Sequence, residues 1–320
     1  MKNTLILLYS ALAIFACGYA FGQLPTNRWA MTVNIVGEDG APVVGADVSV
    51  SYSILPPSHD SNQKTYGEIK GMTDMNGIFS ASHTDSSWDL AITAKKTGYY
   101  TTRIGHELYV PGQFDASKVA ANRNTTMTFL LKKIEKPIPM QAKSLNTHVP
   151  DLDKHVGYDL MLGDWVSPYG KGVNADINFM GHFDKRDGGE SDFTLTVTFP
   201  KSSDGIQEFT VPDTEKGSGL RSPHEAPTEG YQSQWVQFDN RKPRRPIKTN
   251  RDPHHNYFFR VRTVADDKGN IVSAHYGKIY GDFMEFKYYF NPTPNDRNVE
   301  FDPTKNLIKN LKPLEEVKEP

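Results

Sequence analysis

Alternation of apolar and polar residues at period two dominates this chain. Val33-Asn34-Ile35-Val36 leads through Asp39-Gly40-Ala41-Pro42 into Ala46, Val48 and Val50, which alternate with polar neighbours. Two such runs joined by a glycine and proline corner predict a β-hairpin with one buried face. After a polar excursion comes Thr73-Asp74-Met75-Asn76-Gly77, a turn in which Asp74 can hydrogen-bond the backbone and Gly77 can take positive φ. Ile78-Phe79 opens the next strand, Trp88 to Ala94 alternates again, and Thr125 to Leu131 closes a set of about seven short strands.

Lys132 to Met140 mixes charge with proline, which favours a stiff, extended connection. It divides the chain into a sandwich over residues 29–133, a Pro-rich linker at 134–150, a β-rich domain over 151–310 and a charged tail at 311–320. In the second domain strands are predicted at Tyr158–Met161, Ala175–Phe179, Phe193–Phe199, Tyr257–Val264, Ile271–Tyr276 and Phe283–Phe290. Asp266-Asp267-Lys268-Gly269-Asn270 between two of these is a strong hairpin signal. Helical spacing occurs in the tail, where Leu307, Ile308, Leu311 and Leu314 predict one short apolar stripe. The fold class is therefore all-β.

The series Gly40, Pro42, Gly45-Ala46-x-Val48-x-Val50, then Thr73-Asp74-x-x-Gly77-x-Phe79, then Gly98-Tyr99 resembles the carboxypeptidase-regulatory-like domain. That resemblance covers about a third of the chain and implies a small immunoglobulin- or prealbumin-like β-sandwich, of a kind also grouped with carbohydrate-binding-like folds. It departs from the family between Ile54 and Lys70, where a longer insertion carries Pro56-Pro57. The resemblance implies a non-catalytic spacer or binding module of secreted bacterial proteins. The stretches Gly157-Tyr158-Asp159-Leu160, Gly163-Asp164-Trp165-Val166 and Pro168-Tyr169-Gly170-Lys171-Gly172 resemble the second half of secreted bacterial proteins that carry such a sandwich in front, and imply no activity.

The N-terminus changes the picture of where the protein works. A positive start at Lys2, an apolar run from Leu5 to Ala16 and small residues after it form the layout of a signal peptide over residues 1–22, with cleavage after Gly22. Ile14-Phe15-Ala16-Cys17 offers a second reading, a lipobox whose Cys17 carries a lipid anchor; an uncleaved anchor over Leu5 to Gly22 is the third. Export places the protein in the periplasm, at the outer-membrane surface or outside the cell, touching a membrane only through a retained N-terminal anchor. Cys17 is the single cysteine, so the mature chain is expected to hold neither disulfides nor thiolate chemistry. A net charge of −2 gives no global attraction for nucleic acid.

Candidate chemistry is sparse. No His-x-x-Glu, His-Glu-x-x-His or Gly-x-Ser-x-Gly run occurs, and neither catalytic residues, metal nor cofactor are expected. Asp252-Pro253-His254-His255-Asn256 and His182-x-Asp184 with Asp176 are the local clusters that could touch a metal, read more simply as a polar loop leading into a strand and as a pair of side chains on the surface. Asp187-Gly188-Gly189-Glu190 reads as a wide hairpin turn, since the calcium-loop order is absent. Acid pairs such as Asp159 with Asp164 and Asp282 with Glu285 would serve a hydrolase only if space brings them together. The densest feature is Arg241 to Arg251, six cations without an acid, including Arg241, Lys242, Arg244 and Arg245. With Tyr231 and Trp235 nearby as rings for stacking on sugars, it forms the candidate site for a polysaccharide or another anionic envelope polymer. The leading expectation is a non-catalytic envelope protein binding such a polymer. The alternatives are a hydrolase with its site in the second domain and a structural component that assembles through a sheet edge.

Overall fold

A computed structural model describes residues 28–54, 65–84, 89–108, 121–145, 149–252 and 254–320. The leader with Cys17 and Gly22, the Pro56-Pro57 insertion, Trp88 and Pro253 lie outside the described residues. Two sandwiches follow one another along the chain, both built almost wholly from strands.

The first contains β1 (Arg28–Val36), β2 (Asp47–Ile54), β3 (Thr65–Met72), β4 (Ile78–Thr84), β5 (Asp89–Lys95), β6 (Thr102–Glu107) and β7 (Asn124–Leu130). They form a three-stranded sheet ordered β4-β1-β7 and a four-stranded sheet ordered β3-β2-β5-β6. Trp29, Met31, Val33 and Ile35 point inward from β1 and meet Val48, Val50 and Ile92 from the other sheet. The core thus follows from period two, as the alternation predicts. The result is a β-sandwich of three strands on four.

The predicted β1 to β2 hairpin does not form. Both edges of β1 are taken, by β4 antiparallel and β7 parallel, so β2 has no ladder to join there. After a single bridge between Val36 and Pro42, the chain turns at Gly45 (φ 68°) and crosses to the opposite sheet. Thr73 pins the crossing: its hydroxyl donates to the Val43 carbonyl at 2.6 Å and accepts from Ala46 N–H at 2.9 Å.

The second sandwich packs a six-stranded sheet, β10-β9-β11-β12-β14-β15, on a five-stranded sheet, β13-β16-β17-β18-β8. The strands are β8 (Gln141–Leu145), β9 (Val156–Asp159), β10 (Asp164–Trp165), β11 (Ile177–Lys185), β12 (Ser191–Thr198), β13 (Gly205–Phe209), β14 (Gln234–Arg241), β15 (Lys248–Thr249), β16 (Asn256–Ala265), β17 (Ile271–Asp282) and β18 (Glu285–Phe290). The hairpin foreseen at Asp266–Asn270 joins β16 to β17, with Asp266 and Asn270 bonded backbone to backbone at 2.9 Å. β8 arises inside the segment read as linker and pairs with β18.

The five-stranded sheet is buried on both faces. Tyr257, Phe259, Ile279, Tyr288 and Phe290 face the six-stranded sheet, while Phe258, Tyr280 and Tyr289 lie under the segments around Ala226, Val299, Phe301 and Val317. This is why Tyr257-Phe258-Phe259 and Tyr288-Tyr289-Phe290 run apolar without alternation.

The helical stripe expected in the tail is also absent. Asn306 exchanges hydrogen bonds with the Ala142 backbone, Leu307 N–H reaches the Met140 carbonyl and Ser144 N–H reaches Glu315. The tail therefore straps the free edge of β8, and its backbone groups serve that edge instead of a helix. Asn310 at φ 59° breaks any regular path, and Leu314 is left 83% exposed. Among the described residues no helix is long and apolar enough to cross a membrane.

Candidate functional site

One concave region gathers chemically versatile side chains: a cleft of about 710 Å³ bounded by the end of β13, the segment 210–221 and the approach to β16. Glu208, Lys216, Arg221, Asp252, His255 and Asn256 line it. The volume lies within the ~300–1,000 Å³ of small-molecule sites. His255 Nδ1 is 2.7 Å from the Tyr257 hydroxyl, and its Nε2 is 3.4 Å from Glu208 Oε1. Burial, followed by the carboxylates of Glu208, Asp282 and Asp252, pushes the Tyr257 hydroxyl well above its ordinary range. Tyr257 and His255 thus share one hydrogen bond, its direction set by the imidazole tautomer, with the other ring nitrogen facing Glu208.

Asn256 is among the lining residues and is 4% exposed. Its amide nitrogen donates to the His254 carbonyl at 2.7 Å, whereas its Oδ1 is buried and has no partner. At the mouth the Arg221 guanidinium lies over the Tyr280 ring, 4.2 Å from its centroid.

The sequence-predicted residues divide between this cleft and a separate loop. Trp235 is half-buried and packs edge-on against His255 and Tyr257, with centroids 6.0 and 5.3 Å apart, so it backs the cleft. Tyr231 lies elsewhere, under the Arg260 guanidinium at 4.7 Å, its hydroxyl bonded to the Pro227 carbonyl. Tyr257 and Phe258 belong to the core. Arg241 closes β14 and pairs with Asp239 at 3.1 Å, and Lys242, Arg244 and Arg245 stand exposed on the loop to β15. Six residues of strand, ~20 Å, separate Trp235 from Arg241, so rings and cations do not form one patch.

The other candidates are structural. His182 is exposed, whereas Asp176 precedes β11 and is buried, so the two share no face. Asp159 accepts four backbone N–H groups, from Met161, Leu162, Val173 and Asn174. Asp164 accepts from Trp165 and Lys171. Asp282 pairs with Arg251 and accepts from Met284 and Glu285. The Asp187–Glu190 segment is the turn of the β11–β12 hairpin, with Gly188 and Gly189 at φ 84° and 86°.

The joint between the sandwiches holds residues that sequence reading missed. Glu300, buried in the second sandwich, accepts from Tyr100 Oη at 2.7 Å and from the backbone N–H groups of Glu135 and Lys136. His224 stands between Glu300, 3.4 Å from Nδ1, and Glu38, 3.3 Å from Nε2. Glu38, Glu135 and His224 each present a ligand atom within 4.8 Å of the others, a mixed N and O set that could take a borderline divalent cation. Nothing in the spacing of positions 38, 135 and 224 signals this; only the fold brings them together.

No protein-family model matches the chain, and no curated protein matches it in sequence. Among solved structures it is similar to 3-chlorocatechol 1,2-dioxygenase from Rhodococcus opacus 1CP, at 15% identity over 34% of this chain and 61% of that one, TM-score 0.25. Catechol 1,2-dioxygenase from Pseudomonas arvilla C-1 is similar at 12% identity over 37% of this chain and 56% of that one, TM-score 0.25. The shaft pilin SpaA from Lactobacillus rhamnosus GG is similar at 13% identity over 56% of this chain and 90% of that one, TM-score 0.22. The match thus spans less than two thirds of either dioxygenase. With every TM-score this low, the site is read from its own residues.

Proposed function

We propose that the protein is an exported, non-catalytic binder of an anionic extracellular polysaccharide, with a carboxypeptidase-regulatory-like sandwich as its first module. The observation that carries this reading is the loop from Lys242 to Lys248. Lys242, Arg244, Arg245 and Lys248 are all exposed, and none has a carboxylate within ion-pair distance among the described residues. Of the acids around the neighbouring β11–β12 turn, Asp184, Glu190 and Asp192 surround Arg186, which leaves Asp187. Four unquenched cations on one short loop attract a repeating polyanion more than a single charge. Pro243 and Pro246 restrict the loop and lower the entropy lost on binding.

Retention of the mature protein on immobilised polygalacturonate tests the reading. Binding is expected at low ionic strength, weakening steeply with salt and lost in an Arg244→Ala/Arg245→Ala variant. Absence of retention at low salt would remove the proposal.

A second reading, assembly through a sheet edge, draws on β3. It is the outermost strand of its sheet, and Tyr66 and Met72 are 77% and 62% exposed there. A mass that rises with concentration in sedimentation would favour it.

A further inference from the structure

At the joint between the sandwiches three carboxylates gather around one imidazole. Glu38 comes from the corner between β1 and β2, Glu135 from the connector and His224 from the second sandwich, and their ligand atoms lie within 4.8 Å of one another. Buried Glu300 is the third carboxylate, 3.4 Å from His224 Nδ1. Among the described residues none of the three has a lysine or arginine within ion-pair distance. Carboxylates as close as Glu38 and Glu135 repel each other unless a cation lies between them. The contacts of His224 fit a shared ion better than hydrogen bonding. Its Nε2 is 3.3 Å from Glu38 Oε1 and 3.4 Å from Oε2. A charge-assisted hydrogen bond would be ~2.7–2.9 Å long. Two ligands of a tetrahedral ion with bonds of ~2.0–2.1 Å stand ~3.3 Å apart. On the other side of the ring Nδ1 is buried and makes no hydrogen bond, and Glu300 Oε2 is its neighbour. A proton held at Nδ1 against that carboxylate would leave the Nε2 lone pair for a metal, the usual support of a metal-binding histidine.

We infer that Glu38, Glu135 and His224 bind one borderline divalent cation of the zinc class, which clamps the connector between the two sandwiches. One imidazole and two carboxylates suit zinc and leave a fourth position for water. Calcium and magnesium favour all-oxygen shells with more ligands than this joint supplies. The backbone already holds the set in place: Glu135 N–H and Lys136 N–H donate to Glu300 at 2.9 and 2.6 Å, and Lys133 N–H donates to Glu38 at 3.3 Å. The connector is thus pinned on both flanks of Glu135, and its exposed side chain needs to turn by little to complete the shell. Because the ligands come from both sandwiches and the connector, a bound ion stabilises the docked arrangement over any in which they part. The clamp is independent of the polymer reading, whose cations lie on the loop after β14.

Calorimetric titration of the tag-free mature protein, stripped with EDTA, with zinc chloride tests the site. One zinc ion per chain is expected to bind, with calcium and magnesium at least about tenfold weaker. Glu135→Gln is expected to weaken zinc about tenfold or more, since even the outer partners of metal ligands are worth that much. The Glu135 side chain is exposed and makes no hydrogen bond or ion pair among the described residues, so the change leaves the fold intact. Limited trypsin digestion tests the clamp: zinc is expected to slow cleavage after Lys133 in the parent and to have no such effect in Glu135→Gln. A metal-free protein that takes up no zinc would overturn the inference, as would zinc binding unchanged in both Glu135→Gln and His224→Gln. Calcium bound as tightly as zinc would overturn the assignment of the ion, and zinc binding that leaves cleavage after Lys133 unaltered would overturn the clamp.

Discussion

Arg262 grips Asp176 across the second sandwich through two contacts, Nε to Oδ1 and Nη2 to Oδ2, each 2.8 Å. The same Nη2 lies 2.9 Å from Asp159 Oδ1. Arg262 adopts φ 57° at the irregular register between Val261 and Val264, so a bulge in β16 aims the guanidinium. Both carboxylates are nearly inaccessible and also hold backbone turns, Asp176 through Leu160 N–H and Asp159 through its four N–H donors. One arginine thereby fixes the β9–β10 corner to the opposite sheet.

Removing that arginine leaves two buried carboxylates without their cation. Arg262→Ala is expected to destabilise the second sandwich by about 3–5 kcal/mol, the cost of orphaning buried charge. Arg262→Lys recovers only part, because one ammonium cannot reproduce the two-point grip. Urea unfolding followed by tryptophan fluorescence measures both.

Glu300 makes the joint sensitive to acid. Burial would raise its pKa, but the Lys136 N–H, the Tyr100 hydroxyl and the Glu135 N–H outweigh that and hold it below the ordinary 4.5. A carboxylate depressed on folding contributes stability that is present above its unfolded value and lost as pH falls through the lower folded one. Docking of the sandwiches is therefore expected to persist above pH 4.5 and to loosen below it. Glu300→Gln should cost about 1–3 kcal/mol at neutral pH. The difference from the parent should shrink in acid, as read by proteolysis of the 134–140 connector.

Much of the architecture is legible from side-chain spacing. Trp29, Met31, Val33 and Ile35 mark a buried face, and Asp74 with Gly77 marks a turn that the structure shows bonded as expected, Asp74 Oδ1 accepting from Asn76 and Ile78. Period two fixes a strand's face and says nothing of its partner, which is why the pattern predicts a β1–β2 hairpin although the two strands lie in opposite sheets. Polar Gly205–Phe209 and two-residue β15 carry no alternation strong enough to read. The candidate site was half visible: Asp252 and His255 are close in the chain, whereas Glu208 and Arg221 reach the same cleft only through the sheet. Arg262 and Asp176 stand 86 positions apart, beyond any local pattern.

Gly77 tests the turn that the first sandwich depends on. Its φ is 74°, and a Cβ there would come within 2.5 Å of the Ile35 carbonyl and 3.2 Å of Pro42. Left-handed geometry alone costs a branched residue ~1–2 kcal/mol, and the clash with backbone adds to it. Gly77→Val is expected to lower the melting temperature of that sandwich by at least about 4 °C. An unchanged value would mean that the turn carries no strain.

Among the described residues Lys278 is the one fully buried lysine, and its place on β17 argues for a cost rather than a contribution. Its Nζ is 3.2 Å from Ser222 Oγ and lies over the rings of Tyr289 and Tyr280, 4.8 and 5.0 Å from their centroids. Among the described residues no carboxylate is within ion-pair distance of it. Burial, reinforced by the cations of Arg221 and Lys132, drives its pKa well below 10.5. A lysine depressed on folding binds fewer protons in the native state than in the unfolded one, so stability rises with pH between the folded pKa and 10.5. Lys278→Met keeps the stem's bulk and removes the proton, and is expected to stabilise the protein by about 1 kcal/mol or more at neutral pH. The gain should fade as pH approaches 10.5 and vanish above it, where the unfolded lysine loses the charge that the folded one has already shed. Urea titrations of the two proteins at neutral pH and at pH 10 decide the matter: a variant less stable than its parent at neutral pH would show that the aromatic box and Ser222 outweigh the cost of burying the amine.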